Sequence, residues 1–470
     1  MDVEEFRLLG HRLIDWAADY RAGLAQRPVS LPIAPGSIKA GLPVEPPQTG
    51  ASIAPLLDQL ENLIAPGVHF QHPRYFGWFP ANSLEAGVLA DFVSTAFGVI
   101  GLSWQAAPAL AEVEEVACDW ARQMFDLPSI YQGAIHETAS TATFAALVCA
   151  RERSTDYAAA GSGLQGVAVS LCLYVCEHSH SSVGKAAALA GFGRDQLRSV
   201  PVTADYSMDP DALAQMVRAD LAAGLRPCAV VATSGTTAVT AFDPLNAIAA
   251  LASEVGMWLH VDAAMAGVGL MLPELRPLFN GIERADSLVI NAHKWLGAPF
   301  DCSLFYVRDP DHLQRVMSTN PSYLSSSTDE VVRNYRDWGL PLGRRFRALK
   351  LWWVIQDQGV EGLRARLRRD LDNARWLAAE VAATPGWRVL APVRLQTVGL
   401  RHEPAGLSGE ALDRHTLDWV ARLNASGVAW VTPAMLDGRW MVRVSIGAAS
   451  TERPHVAQAW AAMREAAEGA

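Results

Sequence analysis

The stretch "LVINAHKWLG", residues 288–297, runs from three apolar residues, Leu288, Val289 and Ile290, into Asn291 and a His–Lys–Trp triplet closed by Gly297. Lysine is among the residue types least often buried without a partner, so a lysine delivered by what reads as a buried strand implies a task for its amine. Similar runs lie on either side: "GVAVSLCLYV", "PCAVVATSG", "MWLHVDAA" and "CSLFYV". They are β-rich and separated by stretches long enough for helices. That alternation predicts a mainly parallel sheet covered on both faces, and the fold class is α/β.

At 470 residues the chain is long enough for two to three domains, and 50% hydrophobic against 19% charged residues supplies a core. The 39 Lys+Arg against 49 Asp+Glu give a net charge of −10, which excludes a polyanion-binding role; no nucleic-acid partner is expected. The opening "MDVEEFRLLG" lacks a basic segment followed by an apolar one, and no uncharged apolar run approaches membrane-spanning length. A cytoplasmic protein without membrane attachment is the expectation. The six cysteines are sparse and sit mostly in apolar runs, as packed thiols do.

Outward from the sheet, Phe6, Leu9, Leu13, Trp16, Ala17, Tyr20 and Leu24 recur at helical spacing, and a proline-rich arm follows. A helix and arm with no compact body predict a dimerisation segment over residues 1–80. Residues 81–345 form the large α/β domain. Residues 346–470, with helices ahead of "WRVLAP", "QTVGLRHE", "VAWVTPA" and "WMVRVSIG", form a small α+β domain. The Arg-dense stretch 364–375 reads as a solvated helical face whose charge Glu361, Asp370 and Asp372 answer.

In open α/β sheets, ligands collect beyond the carboxyl ends of the strands. There the apolar runs deliver His178 and His180, then Ser234 to Thr237, then Asp262, then His293 and Lys294. "HETASTAT" adds small hydroxyl residues before an apolar helix, an arrangement that offers backbone N–H groups to a phosphate. A lysine in an apolar pocket can condense with an aldehyde, and a carboxylate against a pyridine nitrogen keeps that nitrogen protonated. Together these needs describe pyridoxal 5'-phosphate. Lys294 bonds its carbonyl, Asp262 braces its ring nitrogen, His180 stacks on its face, and Thr138 to Ser140 with Asn291 take its phosphate.

Read in order, "HPRYFGWFP", "SWQAAPALAEVE", "HETASTAT", "HSSVGKA", "VATSGTT", "HVDAAMAG", "NAHKWLG", "FDCSLFYV", "NPSYL" and "YRDWGLPLGRRFRALKLW" resemble the group II pyridoxal-phosphate amino-acid decarboxylases, closest to those acting on aromatic L-amino acids. The resemblance implies a fold-type I homodimer with active sites at the subunit interface. It implies that Thr138, Ala139, Ser140, His180, Thr237, Asp262, Ala264, Asn291, His293 and Lys294 bind the cofactor. It implies that Lys294, His180, Tyr323 and Asp262 are catalytic, with Tyr323 returning a proton to the substrate carbon, alone or through His180. Trp78, Phe79, Pro80, Ile100, Leu102 and Gly343 would shape a ring-accepting pocket. Related aldehyde synthases carry phenylalanine at the position of Tyr323, so simple decarboxylation is expected and oxidative deamination to an aldehyde is the alternative. The segment around "NPSYL", rich in hydroxyls and acids, is expected to close as a lid.

Other motifs fall away. "GSGLQG", residues 161–166, precedes a strand instead of following one, so it is not a dinucleotide loop. Cys172, Cys176, His178 and His180 are too extended along a strand for compact metal coordination, and no metal is expected.

Overall fold

The computed structural model describes residues 1–64, 66–319, 329 and 331–469. They form two compact units, one of residues 1–80, 372–390 and 398–470, the other of residues 81–371 and 391–397.

In the first unit, α1 (Val3–Ala22) begins at Asp2, whose carboxylate accepts the Glu5 N–H at 2.8 Å. Glu4 and Glu5 in its first turn and Arg21 in its last suit the helix dipole. The expected apolar stripe is only partly covered: Leu9 and Leu24 are buried, whereas Phe6 and Leu13 remain 56% and 39% exposed. The Tyr20 hydroxyl meets Nδ1 of His69 at 2.7 Å. The arm is largely irregular beyond a short ladder of Ser30–Leu31 with Gly67–Val68.

The second unit is built on seven strands: β1 (Gln132–His136), β2 (Leu171–Cys176), β3 (Leu197–Val200), β4 (Arg226–Thr233), β5 (Trp258–Asp262), β6 (Ser287–Asn291) and β7 (Ser303–Val307). Their order is β1-β7-β6-β5-β4-β2-β3. Only β7 runs antiparallel to its neighbours. The five apolar runs of the sequence are the five inner strands, and β2, β5, β6 and β7 are buried at every residue. β1 and β3, the two edges, carry Gly133, His136, Arg198 and Ser199 and lack such a run.

Helix α2 (Glu85–Phe97) leaves Leu89, Phe92 and Phe97 exposed, while α3 (Pro108–Met124) and α4 (Ala139–Ser154) are largely buried. On α4 the buried residues Ala142, Ala145, Ala146 and Ala150 are small, which lets the helix axis approach the sheet closely and share a core with Leu173, Val231, Val289 and Phe305.

Helix α5 (Arg347–Ala383) breaks helical geometry at Gly359, whose φ of +61° suits glycine. Its Arg-dense stretch differs from the solvated face expected. Leu363, Arg366, Leu367, Asp370, Leu371 and Ala374, spaced three and four apart, are all buried. Charged residues here occupy core positions of one apolar stripe.

The rest of the first unit carries an antiparallel sheet of β8 (Trp387–Val389), β9 (Thr397–His402), β10 (Thr432–Leu436) and β11 (Arg439–Ser445), in the order β8-β9-β11-β10. With α6 (Gly409–Ser426) and α7 (Arg453–Glu468) it makes the α+β part expected of the C-terminal region.

Candidate active site

The chemistry-bearing residues gather where parallel strands end together. Thr233 of β4 is level with Asp262 of β5, and Asp262 with Val289 of β6, so Ser234, Asp262 and Asn291 leave the sheet side by side. Ser303 opens β7 opposite both His136 of β1 and Asn291 of β6. That register places Thr138, two residues beyond His136 and just ahead of α4, with one strand, β7, between its strand and that of Asn291.

At that helix start Thr138 is the N-cap, and Thr141 Oγ1 donates to the Thr138 carbonyl at 2.8 Å. The first N–H groups of a helix have no carbonyl within it to bond, so those of Ala139 and Ser140 are suited to an anion. Asn291 is buried, and its side-chain oxygen accepts from Ser303 Oγ at 2.7 Å. This orients its amide nitrogen away from β7.

Asp262 is 6% exposed. Its Oδ1 accepts the Ala264 N–H at 3.0 Å, and among the described residues no hydrogen bond is made to its other oxygen. The Ser234 N–H bonds the Asp262 carbonyl at 2.9 Å, while Ser234 Oγ is buried with no partner among the described residues. Gly235 turns the chain at φ +87°, and a Cβ there would meet the Cβ of Ala266 at 2.5 Å. Only glycine lets the loop lie this close to the segment after Asp262. Thr236 Oγ1 accepts from the Ala241 N–H at 3.0 Å, which leaves Thr237 as the half-buried hydroxyl of the loop.

His180, beyond β2, is exposed. Its Nδ1 accepts the Ser182 N–H at 3.2 Å and lies 2.7 Å from Ser182 Oγ, so the neutral ring carries its proton on Nε2 and keeps its face open. His293 is held on both sides by Cys302: its N–H donates to the Cys302 carbonyl at 3.1 Å, and Nδ1 accepts the Cys302 N–H at 2.9 Å. Burial, reinforced by the charge of Lys294, takes this imidazole down to about 4. Lys294 lies in a tight turn over Ala292–Leu296, with a backbone conformation of φ −100° and ψ −106° that is not helical. Asn82 Nδ2 donates to its carbonyl at 3.4 Å.

The candidates for the ring pocket are divided between the two units. Trp78 has a φ of +37°, unusual for a bulky residue, and its N–H donates to Thr432 Oγ1 at 2.7 Å. Its ring stacks near Phe70 at 5.8 Å, and the Arg443 guanidinium lies 4.7 Å from the Phe79 ring centre. In the second unit, a Cβ on Gly343 would stand 3.5 Å from Ile100 Cγ2 and 3.9 Å from Leu102 Cδ2, ordinary contact distances. Pro80 closes the first unit's N-terminal part. Tyr323 and the rest of "NPSYL" lie outside the described residues.

The model of the pyridoxal-dependent decarboxylase conserved domain matches residues 35–402. The chain belongs to the pyridoxal-dependent decarboxylases. A tryptophan decarboxylase 2 from Oryza sativa subsp. japonica is 36% identical, covering 99% of this chain and 95% of that protein. A phenylacetaldehyde synthase from Arabidopsis thaliana is 34% identical, over 99% of this chain and 96% of that protein. A crystal structure of Oryza sativa TDC with PLP and tryptamine superposes with a TM-score of 0.96 at 33% identity, covering 100% of this chain and 99% of that one.

These donors fit the decarboxylase cofactor, pyridoxal phosphate. They comprise a helix start with an amide beside it, a buried carboxylate with one oxygen uncommitted, an imidazole with an open face, and a lysine on the neighbouring strand end. Sequence reasoning missed Asn82, Ser303 and Cys302, which hold these groups in place. Asn82 lies in the quoted segment "YFGWFPAN" but carries no motif of its own.

Proposed function

We propose that this decarboxylase removes CO2 from an aromatic L-amino acid and releases the arylalkylamine, working as a homodimer. The 36% identity to a tryptophan decarboxylase 2, extending over nearly the whole of both chains, supports the choice of substrate class. Bound pyridoxal phosphate supplies the aldehyde to which amines attach and a ring that accepts the electrons left when the carboxylate departs. The chain's own groups do the rest. The Lys294 amine would hold the cofactor through its aldehyde. The oxygen of Asp262 not taken by the Ala264 N–H would face the ring nitrogen of the bound cofactor and favour its protonated form. His180, exposed and with Nδ1 taken by the Ser182 N–H, would offer its ring face to the cofactor and its Nε2–H, in the ring plane, as a donor. Ala139 and Ser140 N–H groups, with Asn291 and Thr138, hold the phosphate. Ala264, His293 and Thr237 line the cofactor's surroundings.

Gly343, Ile100 and Leu102 of the second unit leave room beside them for a ring, and Trp78, Phe79 and Pro80 of the first unit rest on the resemblance alone. The exposed Phe6 and Leu13 of α1, and Leu89, Phe92 and Phe97 of α2, are the apolar surfaces a second copy would cover. Tyr323 rests on the resemblance of "NPSYL" alone. In that role it protonates the substrate carbon after CO2 leaves. The phenylacetaldehyde synthase among the relatives makes oxidative deamination the competing reading.

One incubation separates the two. Holoenzyme is given an equimolar mixture of tryptophan, tyrosine, DOPA and phenylalanine, and amines, aldehydes and peroxide are quantified. Amine without stoichiometric peroxide is expected, and Tyr323→Phe should divert product toward aldehyde. Aldehyde and peroxide as the main wild-type products would refute the proposal.

A further inference from the structure

The turn that carries Lys294 is gripped from beneath by α5. The buried indole of Trp295 donates from Nε1 to Asp370 Oδ2 at 2.9 Å. One turn earlier on the same helix, Arg366 Nη2 donates to the Leu296 carbonyl at 2.5 Å. Trp295 and Leu296 directly follow the lysine in the chain, and the lysine carbonyl itself is held by Asn82. The Leu296 carbonyl lies at the end of an irregular turn, where a helical partner is not available to it.

Arg366 is an expensive way to hold one carbonyl. Its Nε and Nη1 have no hydrogen-bond partner among the described residues, and burial lowers its proton affinity, to about 10, against the pull of Asp370. A buried guanidinium with donors unfilled weakens a fold; an apolar side chain of similar reach would serve the fold as well or better. Asp370 would keep a neighbouring charge after such a change: its Oδ2 still accepts from the Trp295 indole, and Arg369 Nε stands 3.7 Å from Oδ1, within ion-pair but not hydrogen-bond reach. The side chain is thus better explained by what it does to the turn than by what it does for the core.

We propose that Arg366 and Asp370 are positioning residues that hold the backbone on the carboxyl side of Lys294 in place for cofactor capture, through the Leu296 carbonyl and the Trp295 indole. The proposal rests on Lys294 being the cofactor-bearing lysine. Arg366 and Asp370 touch neither cofactor nor substrate in this role. Their effect reaches the amine only through the turn, which sets where the lysine side chain departs.

The test uses Arg366→Met, Arg366→Lys and Trp295→Phe beside the wild type. Borohydride reduction of wild-type holoenzyme, followed by peptide mapping, first locates the reduced adduct; an adduct elsewhere than Lys294 overturns the reading beneath this proposal and not the clamp argument itself. Each apoenzyme is then melted and titrated with pyridoxal phosphate, with visible absorbance as the readout. For Arg366→Met the expected result is an apoenzyme melting temperature equal to or above wild type, with cofactor affinity weakened on the order of tenfold. Arg366→Lys, which still donates, should recover part of the affinity. Trp295→Phe should weaken it by a similar factor, and this variant carries the test if Arg366→Met does not fold. Cofactor affinity within twofold of wild type in the folded variants, or affinity lost only in proportion to apoenzyme melting temperature, overturns the proposal.

Discussion

The backbone of Cys302 brackets His293: its carbonyl takes the His293 N–H at 3.1 Å and its own N–H reaches His293 Nδ1 at 2.9 Å. The histidine next to the candidate lysine is therefore neutral, with a fixed tautomer, and burial keeps it so by taking it down to about 4. His136 and His260 of the same unit are likewise taken by burial to about 4. All three bind protons more readily unfolded than folded, so their contribution is complete above the unfolded value near 6.5 and is lost as pH falls toward 4. Asp243 acts the other way. Burial raises it to about 7, although it accepts the Thr233 and Met208 N–H groups, so its folded form holds a proton that the unfolded chain has released. Burial takes His72 of the first unit to about 4 as well, so with four such histidines against Asp243, unfolding of the apoenzyme between pH 6.5 and 4 should take up about three protons net, and stability should fall by about 4 kcal/mol per pH unit. Denaturant melts across that range check the slope; stability flat or rising toward acid would contradict the assignment.

Lys294→Ala should leave an apoenzyme that folds with near-native melting temperature, since the side chain it loses is only partly buried. Turnover should drop by more than about a thousandfold, and the borohydride-reducible chromophore should vanish. A variant retaining both would place the cofactor on another amine.

Asp262→Asn keeps an oxygen for the Ala264 N–H at 3.0 Å and removes the charge. With the ring nitrogen no longer braced by a carboxylate, kcat should fall by about a hundredfold to a thousandfold, with the KM changed far less. Equal losses in kcat and cofactor affinity would instead assign Asp262 to binding.

Much of this site is legible in the residues, and the parts that are not have a common cause. Strands β2, β4, β5, β6 and β7 announce themselves because a strand buried on both faces must be a continuous apolar run, and chemistry stands out where the run stops. The edge strands β1 and β3 are under no such constraint, and "QGAIH" and "LRSV" look like connections. Arg366 and Asp370 escape notice because their types suggest solvent, although Leu363, Leu367 and Leu371 at helical spacing mark the inward side of that helix. Asn82 and Ser303 act through single hydrogen bonds fixed by the tertiary fold, for which one sequence offers no pattern.

Gly343→Ser tests ring selection. A Cβ at this position already stands 3.5 Å from Ile100 and 3.9 Å from Leu102, so a hydroxymethyl group intrudes on whatever ring lies beyond. The kcat/KM for tryptophan should fall by about ten- to a hundredfold relative to that for tyrosine. An unchanged ratio would remove Gly343 from the pocket.

The loop bearing Ile100 and Leu102 depends in turn on a buried ion pair. Arg344 grips both oxygens of Glu114 at 2.8 and 2.6 Å and donates to the Ile135 carbonyl at 2.6 Å, while Glu114 also accepts the Ile135 N–H at 2.8 Å. The Arg344 carbonyl accepts the Gly101 N–H at 2.9 Å, so edge strand β1, helix α3 and the loop of Ile100 and Leu102 share one anchor. Removing one partner strands the other charge away from water, and Glu114→Leu or Arg344→Met alone should each destabilise the fold by about 3 to 5 kcal/mol. The double variant should recover part of that loss, because two apolar side chains leave no uncompensated charge. Selectivity among aromatic substrates should still drift in the double variant, since the loop then lacks the hydrogen-bonded scaffold behind Arg344. Melting curves with substrate-competition assays read both effects, and strictly additive destabilisation would show that the pair does not act as a unit.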